Sequence, residues 1–104
     1  MALLHNTTFM MTEQTVQEFL DFMRELYLPA LRGSDILSDI RLHRIQTHEG
    51  ESDAVSFALH FRVDDQMSLM SFMTEIAVDS NAALVRHFGE RVIGFSTTME
   101  EVEL

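Results

Sequence analysis

Apolar residues recur along this chain with two different periods, and the change from one to the other marks out its elements. Between Thr12 and Gly33 the spacing is helical. Val16, Phe19, Leu20, Met23, Tyr27, Ala30 and Leu31 form one stripe, and Gln17, Glu18, Asp21, Arg24 and Glu25 form the opposite side. Thr12 is placed to cap the N-terminus, Thr15 and Glu18 have capping-box spacing, and Glu13 and Glu18 suit the positive end of the helix dipole. Pro29 lacks an amide hydrogen and crowds the carbonyl of Glu25, so the helix is expected to kink or loosen there, with Gly33 as its stop. The stripe reads as a sheet-packing face and needs no cofactor.

Elsewhere the period is two. Leu3 to Met10 predicts a strand with Leu4, Asn6, Thr8 and Met10 on one face and His5, Thr7 and Phe9 on the other. Ser38 to Thr47 predicts a second, in which Ile40, Leu42 and Arg44 alternate with Arg41, His43 and Ile45. A polar, glycine-containing stretch, 48–53, then predicts a hairpin turn. Ala54 to Val63 alternates most cleanly: Val55, Phe57, Leu59, Phe61 and Val63 against Ala54, Ser56, Ala58, His60 and Arg62. Asp64 and Asp65 offer caps for a second helix with Leu69, Phe72, Met73 and Ile76 inward. Asp79-Ser80-Asn81 interrupts or re-caps it, Val85 and Phe88 pack inward, and Gly89 ends it. Val92 to Val102 predicts the last strand, Ile93, Phe95, Thr97 and Met99 facing away from Gly94, Ser96 and Thr98.

The order strand–helix–strand–strand–helix–strand, with right-handed crossovers, predicts an α+β, ferredoxin-like βαββαβ plait over residues 1–104 as a single domain. Its four-stranded antiparallel sheet is covered by helices on one face. That leaves the second face bare. Ala54, Ala58, Gly94, Leu4 and Met10 are expected to mix there with Asn6, Thr8, Ser56 and His60, too apolar for water along its length. Pairing two such faces about a two-fold axis predicts a homodimer with a partly polar space between sheets.

Composition narrows the chemistry. The chain has 104 residues, no cysteine, no tryptophan and a formal net charge of −10. Disulfides, thiolate metal sites and cysteine nucleophiles are excluded. The acidic balance argues against nucleic-acid and anionic membrane partners. All seven cationic side chains are Arg, which removes Schiff-base and phosphate-loop lysine chemistry and favours pairing with carboxylates. The start lacks a basic region with a long apolar core, and no apolar run reaches membrane-spanning length. The expectation is a soluble, cytoplasmic protein.

The five histidines, His5, His43, His48, His60 and His87, show no local metal-ligand spacing, so no metal is expected. Asn6 and His60 fall on the open faces of neighbouring strands with Thr8 and Ser56 nearby. Arg41 and His43 extend that cluster from the adjoining strand. This is the candidate ligand site, set against the plainer reading of polar groups bonding to each other or to water in an interface. Tyr27, the one tyrosine, is a further candidate if its phenol reaches a cavity; otherwise it is a core ring with its hydroxyl at the rim. His87 reads as a charge at a helix C-terminus, with Arg86 beside it pairing with Glu90 or a tail carboxylate. His48 reads as solvated. Adjacent carboxylates at Asp64–Asp65 and Glu100–Glu101 read as a cap and a solvated tail; there is no GxSxG elbow or Gly-rich phosphate loop. Met67, Met70 and Met73 follow one helical ridge, read as core rather than as a plastic pocket wall.

An ordered set of short motifs resembles a family of short bacterial proteins classed as an uncharacterised domain. It comprises Asn6 and Thr8, Phe19-Leu20-Asp21-Phe22-Met23 leading to Leu28-Pro29, and Ile40-Arg41-Leu42. It continues with Arg86-His87-Phe88-Gly89 and Val92-Ile93-Gly94-Phe95-Ser96-Thr97, ending in Glu100-Glu101-Val102. The resemblance implies a dimeric α+β barrel that is cytoplasmic and homodimeric, with no assigned activity. His5 and His43 stand where that pattern has an aromatic and an aliphatic residue, making the cavity more polar here. Three functions follow. One is a non-catalytic homodimer binding a small organic molecule or a protein, without a cofactor. The second is a small cofactor-independent oxygenase or isomerase-like enzyme using His60, Asn6, Arg41 or Tyr27. The third is a purely structural dimerisation module. Haem-degrading relatives of this fold use an Asn, a Trp and a His; Asn6 and His87 echo two of them, but the Trp is missing.

Overall fold

Alternation along the third strand sets the architecture. In β3 (Ala54–Val63) every second side chain is buried, so one whole side of the strand faces a core. The computed structural model describes residues 2–47 and 53–104. Next to β3 lies β1 (Leu3–Thr12), antiparallel from Leu3 opposite Val63 to Thr12 opposite Ala54. β4 (Ile93–Glu100) pairs with the other edge of β1, and β2 (Ser38–Arg44) with the other edge of β3. The sheet order is therefore β2-β3-β1-β4, fully antiparallel. The two longest strands are central because each is a buried half of the core.

Two helical segments cross over the same side of the sheet. Residues 13–32 run as a 3₁₀ turn (Glu13–Thr15), an α-helix (Val16–Phe22), a π turn (Met23–Tyr27) and a last α turn (Leu28–Arg32). Residues 66–88 repeat the plan: α-helix Gln66–Phe72, π turn Met73–Ala77, α-helix Val78–Phe88. Both contribute to one core with Phe9, Phe57, Leu59 and Val63 of the sheet. Phe19 is its centre, with ring centroids 5.3 Å from Phe9 and 5.4 Å from Phe57.

The π turns account for most departures from the helical reading. Pro29 cannot donate to the carbonyl of Glu25, and the helix loosens one turn earlier, where the amide of Leu28 reaches back to Met23. An extra residue in a turn rotates everything after it. In the second helix the buried positions run Leu69, Phe72, then Ala77, Ser80, Leu84 and Phe88. Val85 is thus exposed, not inward; Met73 is exposed too, and the Met67–Met70–Met73 ridge, which lies ahead of the insertion, faces solvent, with Met67 80% exposed. In the first helix Phe22 joins the core and Ala30 is exposed. Asp79-Ser80-Asn81 neither interrupts nor re-caps the second helix, since it lies inside a continuous α segment.

The ends also differ in detail. Asp65 caps the second helix, accepting from the Ser68 amide at 2.8 Å. Thr12 and Thr15 make no side-chain cap; their hydroxyls face each other at 3.5 Å, and Glu18 is engaged elsewhere. Gly33 ends the first helix with right-handed geometry, whereas Gly89 takes φ +56°, the conformation glycine adopts most cheaply. β1 continues to Thr12, β2 stops at Arg44, and β4 begins at Ile93 and ends at Glu100. The expected turn at 48–53, and His48 with it, lies outside the described residues except for Asp53.

Candidate functional site

The covered side of the sheet leaves almost no room. Between it and the helices lies a void of about 20 Å³, bordered by His5, Thr7, Tyr27, Asn81 and Ser96 among others. That holds roughly one water molecule. Tyr27 is placed here: it is 5% exposed and its hydroxyl donates to Asn81 Oδ1 at 2.8 Å. Burial pushes its phenol pKa up to about 12, so it stays protonated and donates. His5 is buried beside Phe61, with Nδ1 2.9 Å from Thr98 Oγ1, and burial lowers its pKa. Thr7 and Ser96 exchange a 2.8 Å hydroxyl contact one register step away. Reading the sequence for sites passed over this ladder of Thr7, Ser96, Thr98 and Asn81. Its signal was present in part, because alternation puts His5 and Thr7 on the Phe9 face.

The other side of the sheet is open. Register places Arg41, His60, Asn6 and Thr97 in one row across the four strands, and His43, Ala58, Thr8 and Phe95 in the next. Ser56 sits one step further along β3, opposite Met10. Six of the seven candidate residues, Asn6, Thr8, Ser56, His60, Arg41 and His43, therefore share one surface. Tyr27 does not; it is on the covered side.

Within the rows the contacts are specific. His60 Nε2 lies 3.1 Å from His43 Nδ1, with ring planes only 9° apart and centroids 5.1 Å apart. At that centroid separation the rings meet edge to edge, nitrogen to nitrogen. Such a contact needs one ring as a neutral acceptor, so the pair cannot be doubly protonated without breaking it. Burial, then the charges of His43 and Arg41, hold the His60 pKa below its ordinary value, with Asp39 opposing them. Asn6 Nδ2 donates to Thr8 Oγ1 at 3.2 Å. Among the described residues Arg41 has only a long contact, 3.8 Å, to Asp39 Oδ1, while Arg62 meets Glu101 at 2.6 Å.

Around this polar row the open face is apolar. Ile93, Phe95 and Met99 are 61%, 55% and 42% exposed, and Met10 stands beside them. Gly94, expected on this face, is on the other: a Cβ there would come within 3.2 Å of the Phe9 ring and press on it, so glycine eases the close approach of β4 to the core.

The remaining polar groups serve the scaffold. Glu18 takes His87 Nε2 at 2.8 Å and both ends of the Arg91 guanidinium at 2.8 and 3.1 Å, tying the first helix to the end of the second. The Arg91 hydrogen bonds are the main reason the Glu18 carboxyl lies below its usual range. Arg86, expected to pair with Glu90 or the tail, has no partner among the described residues; Arg62 holds the tail instead. A wide groove of about 630 Å³ lies at the end of the sheet between Met11, Gln14, Glu90 and Arg91. Its one cation is already committed to Glu18. Among the described residues no three of His, Cys, Asp and Glu converge to hold a metal, and no helix is long and apolar enough to cross a membrane.

A βαββαβ order, this strand order and one bare face define the ferredoxin-like α+β fold of dimeric α+β barrel proteins. A dimeric ferredoxin-like protein from an uncultured marine organism superposes with a TM-score of 0.74 at 10% identity, covering 99% of this chain and 97% of that one. An ethyl tert-butyl ether D (EthD) family protein of Bacillus halodurans gives 0.73 at 20% identity, covering 96% and 99%. A candidate antibiotic biosynthesis monooxygenase of Deinococcus radiodurans gives 0.67 at 13% identity, covering 100% and 95%. No curated protein matches the sequence. The chain belongs to the DUF4286 family, a domain of unknown function, whose model matches residues 2–102.

Proposed function

We propose that this chain is a single-domain, cytoplasmic, non-catalytic homodimer, closed through the open face of its sheet. In this reading it binds a small organic molecule along the row Arg41–His60–Asn6. The observation that carries this is the exposure of Ile93, Phe95, Met99 and Met10 on one strand face beside that row. Scattered surface apolar residues are ordinary, whereas a contiguous set on a bare sheet face marks an interaction surface. The molecule is a slab of 39 × 34 × 18 Å, so its broad side readily supplies the ~800 Å² per partner of a stable interface. The structural neighbour described as dimeric supports a second copy as the occupant. The void under the helices, about 20 Å³, is too small for an organic ligand.

An oxygenase or isomerase-like enzyme using His60, Asn6, Arg41 or Tyr27 has less support, since the geometry removes Tyr27 from that set. Tyr27 is on the opposite side of the sheet from the other three and cannot share a substrate with them. Native mass spectrometry of freshly purified protein tests the reading. A dimer, with or without a retained small mass, is expected; a monomer at micromolar concentration contradicts it.

A further inference from the structure

The charges of this protein are sorted by face. It carries 17 Asp and Glu against seven Arg. Yet the residues that alternate onto the open face of β3, β1 and β4, together with Arg41 and His43 of β2, include no carboxylate. The titratable groups there are Arg41, His43, His60 and Arg62. Among the described residues, the acids that contact these arginines stand at the margins: Asp39 at the β2 bulge and Glu101 just past β4. Glu101 satisfies Arg62. Arg41 is left with a 3.8 Å contact, too long for a hydrogen bond.

Closing a second sheet over this face takes Arg41 and the imidazole pair partly out of water, and cations there need a counter-charge. Among the described residues only Asp39, at the margin and 3.8 Å away, stands near Arg41. The relief of the surface suggests where one would go. Along the open side of β3 the residues Ala54, Ser56 and Ala58 are short, and Thr8 continues the dip onto β1. Arg41, His43 and His60 stand on one flank of this trough, Met10 and Phe95 on the other.

We propose that the trough receives a small organic carboxylate, its anionic end at Arg41, His60 and Asn6 and its apolar body over Ala58 against Phe95. Arg41 offers the planar pair of donors that matches a carboxylate, and His60 and Asn6 offer one donor each. The inference rests on the binding-module reading above and names the ligand class for that same face.

The test uses benzoate and octanoate against benzamide and octanamide, which keep each shape and remove the charge. Thermal unfolding and the histidine ring-proton NMR signals are the readouts, with sedimentation run in parallel. The expected result is stabilisation by at least one acid but not its amide, with shifts confined to the His43 and His60 rings. Arg41→Gln should weaken the effect at least tenfold while remaining a dimer, and Arg24→Gln, on the far side, should leave it unchanged. A dimer that responds equally to acid and amide, or to neither, overturns the ligand class and leaves the dimer standing. A monomer overturns both.

Discussion

The two faces of this one sheet are built from the same four strands and meet opposite fates. On the covered face, Phe9, Phe57, Leu59 and Val63 are almost wholly buried, and each polar group among them has a partner inside the chain: His5 with Thr98, Thr7 with Ser96, Tyr27 with Asn81. The open face keeps Phe95 and Ile93 in water, with Arg41 nearly unpaired. One face is finished within the monomer and the other is not. Stability should therefore reside in the first, and association and binding in the second.

The sharpest way to break this contrast is to cut one aromatic from each side. Phe19→Ala, at the core centre, should cost about 3–5 kcal/mol of unfolding free energy by urea titration, comparable with the whole stability of many small domains. Phe95→Glu should leave the circular dichroism spectrum intact while raising the dimer dissociation constant at least ~30-fold, about 2 kcal/mol. If Phe95→Glu unfolds the chain instead, the open face is part of the monomer's own stability and the contrast fails. Asp65→Ala removes a helix cap remote from both faces and should lower stability by about 1 kcal/mol without touching association.

Acidity gives the smallest and most selective comparison. The His5 pKa is depressed in the folded chain, so on lowering pH the unfolded chain takes up that proton first. Its contribution is present above the ordinary histidine value of 6.5 and is lost as pH falls below it. His60 has the same sign. The urea midpoint should fall between pH 7.5 and 5.5, and His5→Asn should show a shallower fall than wild type. Equal slopes would mean that the buried face titrates no differently from the surface.

How much of this could be read from residues alone depended on which period governed them. Strand alternation is local, and β3 was legible residue by residue; with the topology in hand, so was the meeting of Asn6, His60 and Arg41 across three strands. Helical phase is lost beyond the π turns, because one inserted residue carries the later inward positions to Ala77, Ser80, Leu84 and Phe88 and leaves Val85 outside. The face that Gly94 takes depends on its contact with Phe9, which no local pattern shows. Tyr27 belongs with Asn81, 54 positions away, and no local pattern joins them. What survives is the face itself: its candidate residues follow strand alternation, which the β2 bulge disturbs only ahead of Arg41.

An open face that closes on a second copy sets the size of the particle in solution. Sedimentation velocity of wild type beside Phe95→Glu, both at micromolar concentration, reads that size. A dimer is expected for the first and a folded monomer for the second. A monomeric wild type, or a Phe95→Glu variant as dimeric as wild type, would contradict that closure.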